Sequence, residues 1–129
     1  MNRDEMVVYV RGVSRTAGSK LDKLLEKADE LVNTGNKYGV RFTRRQFDLA
    51  VDPVIQAEYR RSRILELTSQ TPLSVKEISA KLGIASREVL QHIGVLRRRN
   101  LIVTDRVDDR VPRYRGLTEE PLKENGKTE

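Results

Sequence analysis

The stretch LSVKEISAKLGIASREVLQHIGVLRRRNLIV, residues 73–103, decides how this chain folds. Ser74 followed three residues later by Glu77 is a capping-box pair, in which each side chain satisfies an amide that a helix start leaves without a partner. Val75, Ile78 and Leu82 then recur on one side of a helix. Gly83 tolerates the positive φ of a sharp helix end, and Ile84 is the apolar residue that anchors such a turn. Ser86 is expected to cap a second helix, whose Val89, Ile93 and Leu96 recur at steps of four and three. Two short amphipathic helices joined by a tight glycine-containing turn have the spacing of a helix-turn-helix. Downstream, LIVTDRV and RVPRYRGL are strand-like runs around Asp108-Asp109, which suits a hairpin wing over about 102–117. Upstream, Asp52-Pro53 reads as a helix start and Ile55, Tyr59, Ile64, Leu65 and Leu67 as its apolar positions, predicting a helix from about Pro53 to Thr68. Helix, helix-turn-helix and hairpin, in that order, define a winged helix-turn-helix over 52–117.

The preceding residues add an accessory helical region over 19–51. Leu21, Leu24, Leu25, Ala28, Leu31 and Val32 lie at helical spacing among Lys20, Asp22, Lys23, Glu26, Lys27, Asp29 and Glu30, an amphipathic helix from Ser19 to Asn33 with Ser19 helping to cap it. Its apolar stripe must be covered by its own chain, by a second copy or by another protein. TGNKYG then breaks the pattern, and FTRRQFDLAV reads as a short helix opened by Thr43. Residues 1–18 combine a β-branched run, Met6 to Val10, that suits a strand with GVSRTAGS, which reads as loop. The polar tail 118–129, with Pro121 and Gly126, offers little apolar surface to bury and is expected to be mobile. The fold class is therefore mainly α with a small β-hairpin: a winged helix-turn-helix with an additional N-terminal amphipathic helix.

Net charge suits a polyanionic partner and, equally, a basic but otherwise ordinary surface. Twenty-five Lys and Arg against nineteen Asp and Glu leave a formal charge of +6, and its placement says more than the total. Between residues 97 and 115 stand Arg97, Arg98, Arg99, Arg106, Arg110, Arg113 and Arg115, opposed only by Asp105, Asp108 and Asp109. With no cysteine, disulfides, thiolate-bound zinc and a cysteine-held iron–sulfur cluster are excluded. No apolar run approaches the roughly 20 residues of a membrane span, and the N-terminus does not resemble a secretory signal, so a cytoplasmic protein without a membrane partner is expected.

Residues 73–103 resemble the helix-turn-helix segment of ArsR-type and MarR-type winged-helix regulators. From Leu82 to Ile102 the pattern of LGI, a buried aliphatic five residues on, a His followed by an aliphatic, a Leu, and an aliphatic pair after a charged helix end is met without a gap. RVPRYRGL is similar to the basic, tyrosine-containing second wing strand of that group. The resemblance implies that the second helix, about 86–99, lies in the major groove of double-stranded DNA while the wing meets the backbone or minor groove. Carried over by position, Ser86, Arg87, Leu90, Gln91 and Gly94 form the reading face, with Arg87 suited to guanine and Gln91 to adenine. Arg110, Arg113 and Arg115 become phosphate or wing contacts. Two positions depart from the group: Leu90 replaces a small polar residue, and Gly94 stands where a basic one is expected.

Single residues have plainer readings too. His92, the only histidine, is expected to pack beneath the second helix or bond a neighbour, and no set of metal ligands accompanies it. Arg97, Arg98 and Arg99 end the helix where cations complement its dipole, so a solvated face and phosphate contact both remain open for Arg97 and Arg98. Tyr114 is expected to cover the core. No nucleophile with a base, no glycine-rich phosphate loop and no carboxylate pair at catalytic spacing emerges, so no enzyme, no cofactor and no metal are expected. Two functions stay open. One is a homodimeric, sequence-specific DNA-binding transcription regulator; the other is a protein-interaction module or small adaptor subunit that docks a partner through Leu90 and Gly94.

Overall fold

The computed structural model describes residues 1–34, 39, 41 and 43–117. Among them, five helices precede a hairpin: α1 (Arg3–Val13), α2 (Arg15–Asn33), α3 (Arg44–Gln70), α4 (Val75–Leu82), α5 (Ser86–Arg98), β1 (Ile102–Asp108) and β2 (Val111–Gly116). This is the expected mainly helical architecture with a two-stranded antiparallel wing. The chain divides into two compact units, Met1–Tyr59 and the residues from Arg60 on. The expected tail 118–129, most of TGNKYG and Phe42 lie outside the described residues.

In the first unit the strand expected over Met6–Val10 is a helix. Asn2 accepts from the amide of Glu5 at 2.8 Å while Glu5 accepts from that of Asn2 at 2.9 Å, a capping box that starts α1 ahead of the apolar run. Val7 and Val10 are buried and Val8 is exposed, a period of three rather than two. The expected loop from Gly12 to Ser19 is corrected as well. Ser14 ends α1, donating its amide to the Val10 carbonyl, and caps α2, accepting the Ala17 amide on its hydroxyl at 3.2 Å. Ser14, not Ser19, is therefore the cap, and α2 begins four residues earlier than its apolar pattern suggests. Gly18 lets the two helices meet: a Cβ there would stand 2.9 Å from Arg11 Cγ. The stripe of α2 is covered within its own unit, where Ala17, Leu21 and Ala28 join Val7, Val10, Phe47, Val51 and Ile55.

The two helices expected over 42–51 and 53–68 are one. Thr43 and Gln46 form a second capping box (2.9 and 3.1 Å), and α3 then runs through Pro53, so Asp52 caps nothing. Proline interrupts a helix by removing an amide and crowding the carbonyl four residues back. Here that carbonyl belongs to Leu49, and both Leu49 and Pro53 are exposed, where water can serve it. Phe47, Val51 and Ile55 on the opposite face stay buried and carry the helix onward. Asp52 is instead bound with Asp48 by Arg3 of α1, at 2.7 and 2.6 Å.

In the second unit the local signals and the structure agree closely. The Ser74–Glu77 capping box opens α4, and Gly83 closes it at φ 69°. The hydroxyl of Ser79 donates to the Ile84 carbonyl at 2.5 Å, pinning the three-residue turn. One detail differs: Ala85 is the N-cap of α5, with no side-chain cap, and Ser86 is already helical. At its other end α5 closes on a Schellman motif. Asn100 takes φ 62°, its amide bonds the Arg97 carbonyl, and the Leu101 amide reaches back to Leu96. Ile64, Leu65, Ile78, Val89, Ile93, Leu96, Ile102 and Tyr114 form the core of this unit. Tyr114 thus covers the core as expected. Leu73 exchanges backbone hydrogen bonds with Tyr114 (3.0 and 2.8 Å), making a bridge between β2 and the segment before α4. Gly116 lies against α3, where a Cβ would come 2.7 Å from the Leu65 carbonyl oxygen.

Candidate nucleic-acid interface

Burial sorts α5 into two faces. Val89, His92, Ile93 and Leu96 are buried, while Ser86, Arg87, Leu90, Gln91, Arg97 and Arg98 are exposed. The exposed set recurs at helical spacing and forms one outward stripe, with Gly94 half-buried inside it. Leu90 is 53% exposed, a large apolar side chain in the middle of that stripe. Gly94 is not a bare patch, because the Arg98 guanidinium lies 3.7 Å from where its Cβ would be.

Among the described residues, Arg87, Arg97, Arg98 and Arg110 have no ion pair or hydrogen-bonded partner for their guanidinium groups. The one acidic residue in the first turn of α5 is half-buried and paired. Glu88 Oε2 receives Arg60 Nη1 at 2.6 Å and His92 Nε2 at 3.0 Å. Arg61 Nε donates to His92 Nδ1 at 3.2 Å. Because a guanidinium can only donate, Nδ1 must accept, which places the imidazole proton on Nε2, toward Glu88. Burial, together with the charges of Arg61 and Arg60, holds His92 below its usual pKa against the opposite pull of Glu88. The hydrogen bond from His92 and the Arg60 guanidinium hold Glu88 below the usual carboxylate range despite its desolvation. His92 is therefore a neutral, bonded residue on the buried side of α5, and the carboxylate of Glu88 is matched by the Arg60 guanidinium.

The wing arginines are arranged differently. Arg106 bonds Asp108 at 2.8 Å and Asp105 at 3.2 Å, and Arg115 bonds Asp105 at 3.1 Å. Arg113 donates from Nη1 to Glu77 Oε1 at 2.5 Å. Its Nε lies 3.1 Å from Asp108 Oδ2, in charge contact but without hydrogen-bond alignment. Of the three arginines expected as wing contacts, only Arg110 stands unpaired among the described residues. It occupies the tip of the hairpin, where Asp108 pairs with Val111 and the two residues between them, Asp109 and Arg110, take φ 54° and 69°. Both positive values are what a type I′ hairpin turn requires.

The structure thus gathers Ser86, Arg87, Gln91, Arg97 and Arg98 on one helix face and engages Arg113 and Arg115 with carboxylates. Three participants are not legible in the sequence. Glu77 is a wing partner as well as a cap, a pairing across 36 residues that no local pattern signals. Arg60 and Arg61 support α5 across 28 and 31 residues; spacing signals only the Glu88–His92 contact they join, at four residues apart. Among the described residues no group of three or more His, Asp or Glu is placed to hold a metal ion, and no helix is long and apolar enough to cross a membrane. No curated protein and no solved structure matches the chain. Residues 60–105, which hold the end of α3, α4, the turn, α5 and the start of the wing, match the family model of a helix-turn-helix domain.

Proposed function

We propose that this chain is a double-stranded DNA-binding transcription regulator that acts as a homodimer, with α5 in the major groove and the wing on the adjacent backbone. The observation that carries the reading is the outward face of α5. Arg87, Gln91, Arg97 and Arg98 are exposed along it, the arginines without carboxylate partners among the described residues, while Glu88 is engaged by Arg60 and His92. Arg87 then supplies the paired donors that suit guanine O6 and N7, and Gln91 the donor and acceptor that suit adenine. Arg97, Arg98 and Arg110 meet phosphates. One such helix covers only a few base pairs, so two copies related by a twofold axis read successive grooves. The Met1–Tyr59 unit, with large apolar side chains such as Val8 and Leu49 left exposed in a single copy, is assigned the pairing contact.

A second reading has one observation in its favour, the exposed Leu90 at the centre of the face, which suits a protein-docking module. Fluorescence anisotropy on duplexes selected from a random pool separates the two. DNA binding releases counterions, so the logarithm of affinity should fall linearly with the logarithm of salt over roughly 50 to 200 mM, and sedimentation should show a dimer. No affinity for any duplex at low salt, together with a stoichiometric protein partner recovered from native extract, would replace the regulator with the docking module.

A further inference from the structure

The wing strand holds an arginine whose surroundings differ from those of a phosphate contact. Arg113 has two carboxylate partners: Glu77 at 2.5 Å, on α4, and Asp108 at 3.1 Å, on β1. Its side chain is 27% exposed, against 48% for Arg115 and 53% for Arg106. Glu77 is itself fixed, since Oε1 also accepts the Ser74 amide at 2.9 Å and the Glu77 amide donates to Ser74 Oγ at 3.2 Å. The next wing residue, Tyr114, exchanges both backbone hydrogen bonds with Leu73. Two consecutive residues of β2 are therefore tied to the Leu73–Glu77 segment, one by side chain and one by backbone. Arg113 is the outer of these two ties, and beyond it, from Arg106 to Pro112, every wing residue is exposed.

We propose that Arg113 is a positioning residue that latches the wing to the start of α4 through Glu77, fixing where Arg110 is presented, and that it does not itself meet phosphate. The inference rests on the DNA-binding reading for its use, and on geometry alone for the tie. A phosphate would have to draw Arg113 away from two carboxylates, whereas Arg110 at the tip has none to leave.

The two roles predict opposite signs for one substitution. Glu77→Gln keeps a capping-box residue at the head of α4 but removes the charge that holds Arg113. If Arg113 served phosphate, removing a nearby carboxylate would leave DNA affinity unchanged or raise it. With the latch, Glu77→Gln and Arg113→Ala each weaken binding about fivefold, the scale of a partly exposed ion pair. The double variant is no weaker than either single one, the salt dependence keeps its slope, and Arg113→Lys recovers most of the loss. In the free protein, the Leu73 and Tyr114 amides exchange faster in both single variants while those of Val89 to Leu96 do not. Tighter or unchanged DNA binding by Glu77→Gln, with a flatter salt slope in Arg113→Ala, would overturn the proposal and make Arg113 a phosphate contact. A wild-type chain without DNA affinity would sink the regulator reading by itself, and amide exchange at Leu73 and Tyr114 would still decide whether the tie exists; unchanged exchange there would end it.

Discussion

On α5, Arg87, Arg97 and Arg98 have no carboxylate partner among the described residues, whereas on the hairpin Arg106, Arg113 and Arg115 are each met by at least one. The two regions carry arginine at similar density. Counted along the sequence they look like one continuous basic surface; in the folded chain they are two different devices. Free guanidinium groups on the helix are available to a polyanion, while paired ones on the wing are spent on holding a two-stranded hairpin that has almost no core of its own. Net charge therefore predicts attraction, and only the pairing pattern predicts where contact falls.

Three experiments can break or sharpen that contrast. The largest effect concerns the footing of α5. Leu96 is 1% exposed at the end of that helix, and Leu96→Ala should lower unfolding stability by about 2 to 5 kcal/mol, the range for a deleted core side chain. Denaturant melts should show the loss with the m-value unchanged, and an unaffected midpoint would mean that α5 is held by its polar network rather than by packing.

The second experiment compares free and paired arginines directly. Arg87→Ala should cost about 1 to 3 kcal/mol of affinity on the preferred duplex and relax base preference at one position. Arg115→Ala, whose guanidinium is held by Asp105, should cost less than about 1 kcal/mol and leave base preference intact. Equal losses for the two variants in competition binding would erase the distinction drawn here between helix and wing.

The third and smallest effect uses pH, because the groups beneath the helix and those of the wing titrate in different windows. The folded state holds His92 below its ordinary pKa, so the unfolded chain binds the proton first. The stabilisation from neutral His92 is complete above the ordinary histidine value and is lost progressively as pH falls from there through the lower folded value. Glu77, held low by the Ser74 amide and then by Arg113, and Asp108, held low by Arg106 and then by Arg113, contribute above the ordinary carboxylate values and lose their contribution only below them. Acidification from about pH 7.5 to pH 5.5 enters the histidine window and stops above the carboxylate one. Relative to the intrinsic exchange rate at each pH, protection of the α5 amides should fall modestly over that interval while that of the wing ladder holds. Parallel loosening of both regions would show that they open as one unit.

Much of this was legible in residues 73–103, where each local signal agrees with its neighbours: the Ser74–Glu77 box, Gly83 at a left-handed turn, and aliphatics at helical spacing. Such agreement across levels is what lets a short window specify its fold. The first unit was harder because its signals conflict. Met6–Val10 has strand-like residues in a helix that Asn2 starts, and Pro53 sits inside a helix that Thr43 opens and Phe47, Val51 and Ile55 hold by burial. The candidate site was legible as a helix face, since spacing alone separates Arg87 and Gln91 from Val89 and Ile93. Its wing half was not. Whether Arg113 is free depends on Glu77, far away in sequence, and nothing in a window around Arg113 records that meeting.

The hairpin tip shows where this protein departs from the choice that stability alone would favour. A two-residue turn with both φ values positive is most comfortable as Asn-Gly or Asp-Gly. Here the second place holds Arg110 at φ 69°, a conformation that costs a residue bearing a Cβ on the order of 1 kcal/mol. A designer asked only for a durable hairpin would write glycine there and lose the one wing cation left unpaired among the described residues. The tip thus carries a standing trade between ruggedness and reach, and selection for thermal tolerance would erode it first.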